Sequence, residues 1–141
     1  MEIPAGLLSA LPPLVGVLVG ASLQYAFGRT LELRKHLQSQ KAQAYADYCR
    51  AFSSIATVGR SKEALSQLTD AKTRVCIYGS PSVVRLLGEF EREGAKTDTG
   101  ERRRLVSNLV AAMRADIGGS GRSPANAEDL GVVLFGSDWR L

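Results

Sequence analysis

The residues able to do chemistry are few in this 141-residue sequence, and their spacing argues against most kinds of active site. His36 is the single histidine; it follows Arg34 and Lys35, and the one carboxylate a helical turn away is Glu32. A metal site needs three or four converging ligands, so none is expected there, and a solvated or headgroup-facing imidazole is the better reading. Cys49 and Cys76 form no CxxC or other metal-type pair. Each falls on the apolar side of an expected helix, which predicts two buried, reduced thiols. The run Gly118-Gly119-Ser120-Gly121 lacks the Lys-Ser/Thr of a phosphate-binding loop and the strand that would precede one, so it reads as a connector. Serines are plentiful, but no GxSxG elbow occurs. No catalytic, cofactor-binding or metal-binding residue is assigned, no cofactor is expected, and a hydrolase or transferase is disfavoured.

Charge is more informative. Arg102, Arg103 and Arg104 are the densest basic cluster, and they open a helix whose dipole they slightly oppose. Lipid headgroups or an acidic partner would compensate; an ordinary solvated helix start is the competing reading. Arg29, Arg34 and Lys35 form a second basic group near the N-terminus and are candidates for the same contacts. In Met113-Arg114-Ala115-Asp116, Arg114 is expected to pair with a neighbouring acid. The net charge is +4, and neither a basic nor an aromatic motif supports nucleic-acid binding.

The elements that would carry these residues are helical. From about residue 30 to 58, Leu37, Lys41, Ala44, Tyr48, Phe52 and Ile55 follow helical spacing, a stripe with one basic interruption, and Gly59 ends it. Ser61 can cap a second helix with the face Ala64, Leu68, Ala71, Val75 and Tyr78, closed by Gly79 in a left-handed conformation. Ser80-Pro81 is a start signal for a third, carrying Val83, Val84, Leu86, Leu87 and Phe90 to near Gly94. A loop over 95–100 leads to a helix over 101–117 with Leu105, Leu109, Ala112, Met113 and Ile117 inward. Ser123-Pro124 repeats the start signal for a short last helix to about Leu134, followed by a tail containing Trp139. No stretch alternates with period two.

Residues 3–28 contain no Asp, Glu, Lys, Arg or His. The 21 residues 7–27 would span about 31 Å as helix, matching the hydrocarbon thickness of a bilayer. Pro12 and Pro13 would kink such a helix or mark its start. Glu2, the lack of Lys or Arg before the apolar run and the lack of a convincing small-x-small cleavage site after it argue for a retained anchor rather than a cleaved leader. All 18 Lys and Arg, and 13 of the 14 acids, lie beyond residue 28, so basic residues flank the run on one side only. That places the C-terminal part in the cytoplasm and the N-terminus outside.

Within the run, Gly6, Ser9, Pro13, Gly16 and Gly20 recur at spacings of 3, 4, 3 and 4, continued by Gln24. Bilayer helices associate through small residues that let backbones approach closely. The stripe therefore reads as a contact face with a second copy or a partner membrane protein. Tyr25 and Phe27 would sit at the interface.

The order of an N-terminal membrane helix, a charged stalk, Tyr45-x-x-Tyr48 with Phe52, Tyr78-Gly79-Ser80-Pro81-Ser82-Val83 and Met113-Arg114-Ala115-Asp116-Ile117-Gly118 resembles uncharacterised bacterial single-pass membrane-anchored small helical proteins. The resemblance covers most of the chain and implies a bacterial inner membrane, with no activity to transfer. The expectation is an all-α protein: an N-terminal transmembrane helix (1–28), then a small antiparallel helical bundle with a juxtamembrane stalk (29–141). Its function would be self-associating docking or sensing beside the lipid bilayer. The alternative is a pore-forming or membrane-disrupting effector of toxin or defence type.

Overall fold

The computed structural model describes residues 5–118 and 126–140, with side chains for Gln24, Tyr25, 28–118 and 126–140. Five helices account for most of them: α1 (Ala5–Val58), α2 (Lys62–Tyr78), α3 (Pro81–Arg92), α4 (Gly100–Gly118) and α5 (Ala127–Phe135). No strand occurs among the described residues, so the protein is all-α. The chain divides into two compact units, Met1–Leu37 and Gln38–Leu141.

In the first unit the described side chains are exposed, including Gln24, Tyr25, Leu31 and Leu33. Leu37 is exposed too, which corrects its place at the head of a buried stripe; full burial on α1 begins only at Ala44. Among the described residues no helix is long and apolar enough to cross a membrane. The side chains of Gly6, Ser9, Pro12, Pro13, Gly16 and Gly20, and with them most of the apolar run 3–28, lie outside the described residues.

The second unit is a helical bundle. Tyr45, Tyr48 and Ala51 of α1 meet Leu68, Ala71 and Val75 of α2, Val83 and Leu87 of α3, and Leu109 and Met113 of α4 in one core. Phe90 is fully buried and meets Phe52 edge-on at 5.6 Å, a favourable aromatic geometry. Phe52 itself is only partly buried. Val106 and Ser107 are buried beside the expected α4 stripe, with the Ser107 hydroxyl donating to the Arg103 carbonyl at 3.0 Å.

Local chemistry sets most boundaries. Gly59 adopts φ +100°, which ends α1 cheaply because glycine has no Cβ to clash there. Ser61 caps α2 by accepting from the Ala64 amide at 3.1 Å. Pro81 starts α3 as expected, but the Ser80 hydroxyl pairs with that of Ser82 at 3.0 Å rather than capping the helix.

Two further expectations are corrected, and a third lies outside the described residues. Gly79 is not left-handed: φ −73° and ψ 152° are extended backbone open to any residue. Space is what favours glycine there, since a Cβ would collide with the Val75 carbonyl oxygen and stand 3.2 Å from the Tyr45 hydroxyl. Cys49 and Cys76 are free, but both are exposed rather than buried. Each follows a fully buried residue, Tyr48 or Val75, and a helix turns about 100° per residue, which swings the next side chain off the core. The start signal Ser123-Pro124 lies outside the described residues; α5 is capped by Asn126, whose side chain accepts from the Glu128 amide at 3.1 Å.

Beyond α5 the chain turns at Gly136 and brings Trp139 back onto Gly131, leaving the indole 3% exposed. Arg140 passes so close to Gly100 that a Cβ there would collide with its backbone.

Candidate functional site

Two features of the second unit stand out: a polar junction where α1, α3 and α4 meet, and an apolar seam between α1 and α4.

The junction centres on Asp116. Its Oδ1 accepts from the Lys41 ammonium at 3.0 Å; its Oδ2 accepts from the Tyr45 hydroxyl and, at 3.1 Å, from the Ser80 amide. Partial burial by itself would raise the Asp116 pKa. The hydrogen bonds from Tyr45, Lys41 and Ser80, with the lysine's charge, outweigh it and hold the carboxyl below the usual range. Tyr45 moves the other way: burial, then its bond to Asp116 and that carboxylate's charge, raise its phenol against a lowering by Ser80. The junction thus ties three helices together around one anion. Every donor is already committed to the carboxylate, so the geometry is that of a structural clasp.

A deeper polar pair lies beside the core. The Tyr48 hydroxyl and Glu91 Oε1 are both buried without a hydrogen-bond partner, while Glu91 Oε2 takes the Lys72 ammonium at 2.7 Å. Burial, and then the Glu91 charge, raise the Tyr48 phenol.

The seam is different in kind. Its central cavity, about 350 Å³, is lined by Tyr48, Phe52, Phe90, Leu109, Val110 and Phe135. Its more polar lining residues are Ser53, Thr57, Thr97, Tyr48 and Cys49, and the Thr57 hydroxyl is already bonded to the Ser53 carbonyl at 2.9 Å. A second cavity beside Lys96 and Asp98 shares Phe52, Ala56 and Thr97 with it. A third, ending by Arg114 and Leu130, shares Cys49 and Val110. Loss of hydration pushes the Cys49 thiol above its usual range, although the residue keeps access to solvent.

The residues singled out from sequence are scattered. Arg29, Arg34, Lys35 and His36 are exposed on α1, as is Gln24. Arg102 pairs with Asp98 at 2.7 Å, and Arg103 donates to the Thr97 carbonyl at 3.0 Å and the Asp138 carbonyl at 3.4 Å. Arg104 and Arg114 are exposed. No ion pair joins Arg114 to a neighbouring acid among the described residues; Asp116, two positions on, is turned to Lys41 instead. No group of three potential metal ligands occurs among the described residues.

The sequence reading missed Asp116 as a centre. The signal was Lys41, a cation within an apolar stripe, which implies a buried anion without naming it. The seam left less trace, because its walls come from four helices far apart in the chain. No family model matches the chain, and neither a curated protein nor a solved structure matches it.

Proposed function

We propose that this chain is a membrane-anchored helical module that docks or senses without catalysis. The anchor is the segment 1–28, a single pass with the N-terminus outside and the bundle cytoplasmic, in a bacterial inner membrane. It self-associates, or pairs with another membrane protein, through Gly6, Ser9, Pro13, Gly16, Gly20 and Gln24. The bundle is read as an antiparallel one.

The observation that carries this reading is the uncharged run 3–28 followed at once by Arg29, Arg34 and Lys35. A 26-residue stretch without a charge is long enough to span a bilayer, and the one-sided flank orients it. The exposure of those three basic side chains leaves them open to anionic headgroups, where each gains on the order of 1 kcal/mol.

Topology tests it directly. A reporter fused after Leu141 should report the cytoplasm. Cys49 and Cys76 are both exposed, so an impermeant thiol reagent should miss them in intact cells and label them after permeabilisation. Periplasmic reporter activity would overturn the orientation, and recovery of the full chain without membranes would overturn the anchor.

The contact face has its own test. Replacing Gly16 and Gly20 by Ile should hold helices apart and abolish crosslinked assemblies, whereas Leu18→Ile or Val19→Ile should not. Ion leakage on overexpression, lost with the same double variant, would favour a pore over a docking module.

A further inference from the structure

The seam between α1 and α4 has no part in the anchor, and its chemistry selects one class of ligand. The central cavity is of small-molecule size, at the lower end of the range such sites occupy. Taking the roughly 30 Å³ share of a water molecule as a yardstick for a methylene, it holds roughly ten to twelve such groups. Its walls are aromatic and aliphatic. Sugars, nucleotides and small cations call on charged or amide side chains, and none lines this cavity. The two adjoining cavities meet it at different residues, Phe52, Ala56 and Thr97 on one side and Cys49 and Val110 on the other, and this serial arrangement along the seam favours an extended chain over a compact ring.

One end supplies a charge. Lys96 lines the adjoining cavity and forms no ion pair among the described residues. Asp98 beside it is paired with Arg102 at 2.7 Å, and the Lys96 charge acts on it only as the weakest of its influences, without an ion pair. At the other end Arg114 stands among Met113, Ile117 and Leu130, a less polar setting.

From this we infer that the seam binds a medium-chain fatty carboxylate, its aliphatic tail in the cavity under α5 and its carboxylate at Lys96. Binding would bury the tail against Phe52, Leu109 and Phe135, and would cover Cys49 on the cavity wall. Cys76 lies on α2, away from the seam cavities, and serves as an internal control.

The test uses the full chain in phosphatidylcholine nanodiscs and compares alkylation rates at the two cysteines by mass spectrometry as decanoate is added. Protection should slow Cys49 about tenfold at ligand ten times above the dissociation constant, with Cys76 unchanged. Decanol and decyltrimethylammonium should protect less. Lys96→Gln should erase the preference for the anion, Arg114→Gln should not, and Ala56→Phe at the exposed rim should block entry.

Equal slowing of both cysteines, or no slowing of Cys49, would overturn the inference. So would protection without decanoate that rises with protein concentration, which would mean a second copy fills the seam. Protection appearing when phosphatidylglycerol replaces phosphatidylcholine, again without decanoate, would identify a bilayer lipid as occupant and also count against the free acid. Reporter topology and the cysteine ratio are separate readouts, so the anchor and the seam can each fail alone.

Discussion

Lys41 and Asp116 are 75 positions apart in sequence, yet the lysine Nζ stands 3.0 Å from the carboxylate Oδ1. Their side chains are 28% and 12% exposed, so the pair is partly sheltered rather than solvated. Such a contact contributes more than a surface ion pair, whose median worth is about 0–1 kcal/mol. It also carries two further donors on the same anion. Removing the carboxylate leaves an ammonium, a phenol and an amide without their acceptor.

Asp116→Ala should therefore lower stability by about 2–4 kcal/mol, more than Lys41→Met, because the aspartate serves three donors and the lysine one acceptor. Asp116→Asn keeps the shape but loses the charge and should fall between them. A double-mutant cycle on Lys41 and Asp116, read by chemical denaturation of the full chain, should show clear coupling. Additive losses would mean the pair is incidental.

The same site sets an acid limit. Asp116 has a depressed pKa when folded, so its contribution is present above the unfolded carboxylate value of about 3.9 and is lost as pH falls through the folded value. The midpoint of denaturation should drop below about pH 4, and Asp116→Asn should flatten that drop. Tyr45 and Tyr48 act at the other end. Their raised pKa values keep the folded phenols protonated, so their contribution is whole below about pH 10 and declines as the unfolded phenols ionise. A stability profile level from pH 3 to 5 would refute the acid half of this account.

Tyr45 and Tyr48 lie on one face of α1, yet only the first should lose stability when its hydroxyl is removed. The Tyr45 hydroxyl donates to Asp116, and Tyr45→Phe should cost about 1–2 kcal/mol. The Tyr48 hydroxyl is buried without a partner near the Glu91 charge. Tyr48→Phe removes an unsatisfied polar group and should be neutral or stabilising. Thermal unfolding of the two variants side by side decides it; equal losses would mean that a bound water satisfies Tyr48.

Much of the helix punctuation was legible because it is written in short-range chemistry. Ser61, Pro81 and Gly59 each act on backbone within four residues, so a sequence window contains both partners. Apolar stripes identified Leu68, Val75, Leu87 and Leu109 for the same reason. What the stripes could not resolve was the edge of a face: Cys49 and Cys76 sit one residue beyond buried positions, and that single step moved them to solvent. Leu37 has the right period but is exposed. Gly79 looked like a left-handed terminator, but its role is spatial: the Val75 carbonyl and the Tyr45 hydroxyl take the room a Cβ would need. The Asp116 clasp and the seam depend on residues brought together from α1, α3, α4 and α5, and no local pattern records such meetings.

The C-terminal tail offers the sharpest single-residue test. Gly131 lies inside α5, where glycine is unfavourable by about 1 kcal/mol relative to alanine. On propensity alone Gly131→Ala should stabilise the helix. A Cβ there, however, would stand 2.7 Å from the Trp139 ring, which has only the space glycine leaves. The ring is too rigid to yield by bending, so the whole tail would have to lift, exposing an indole that is now 3% accessible. Arg140, paired to Glu128 at 2.6 Å and pressed against Gly100, would move with it. Trp139 is the only tryptophan in the chain, so its fluorescence reports this step without interference. Gly131→Ala should shift its emission to the red and lower the melting temperature, and Trp139→Ala in the same background should remove most of the further penalty. An unshifted spectrum with raised stability would show that propensity wins and that the tail does not depend on the gap at Gly131.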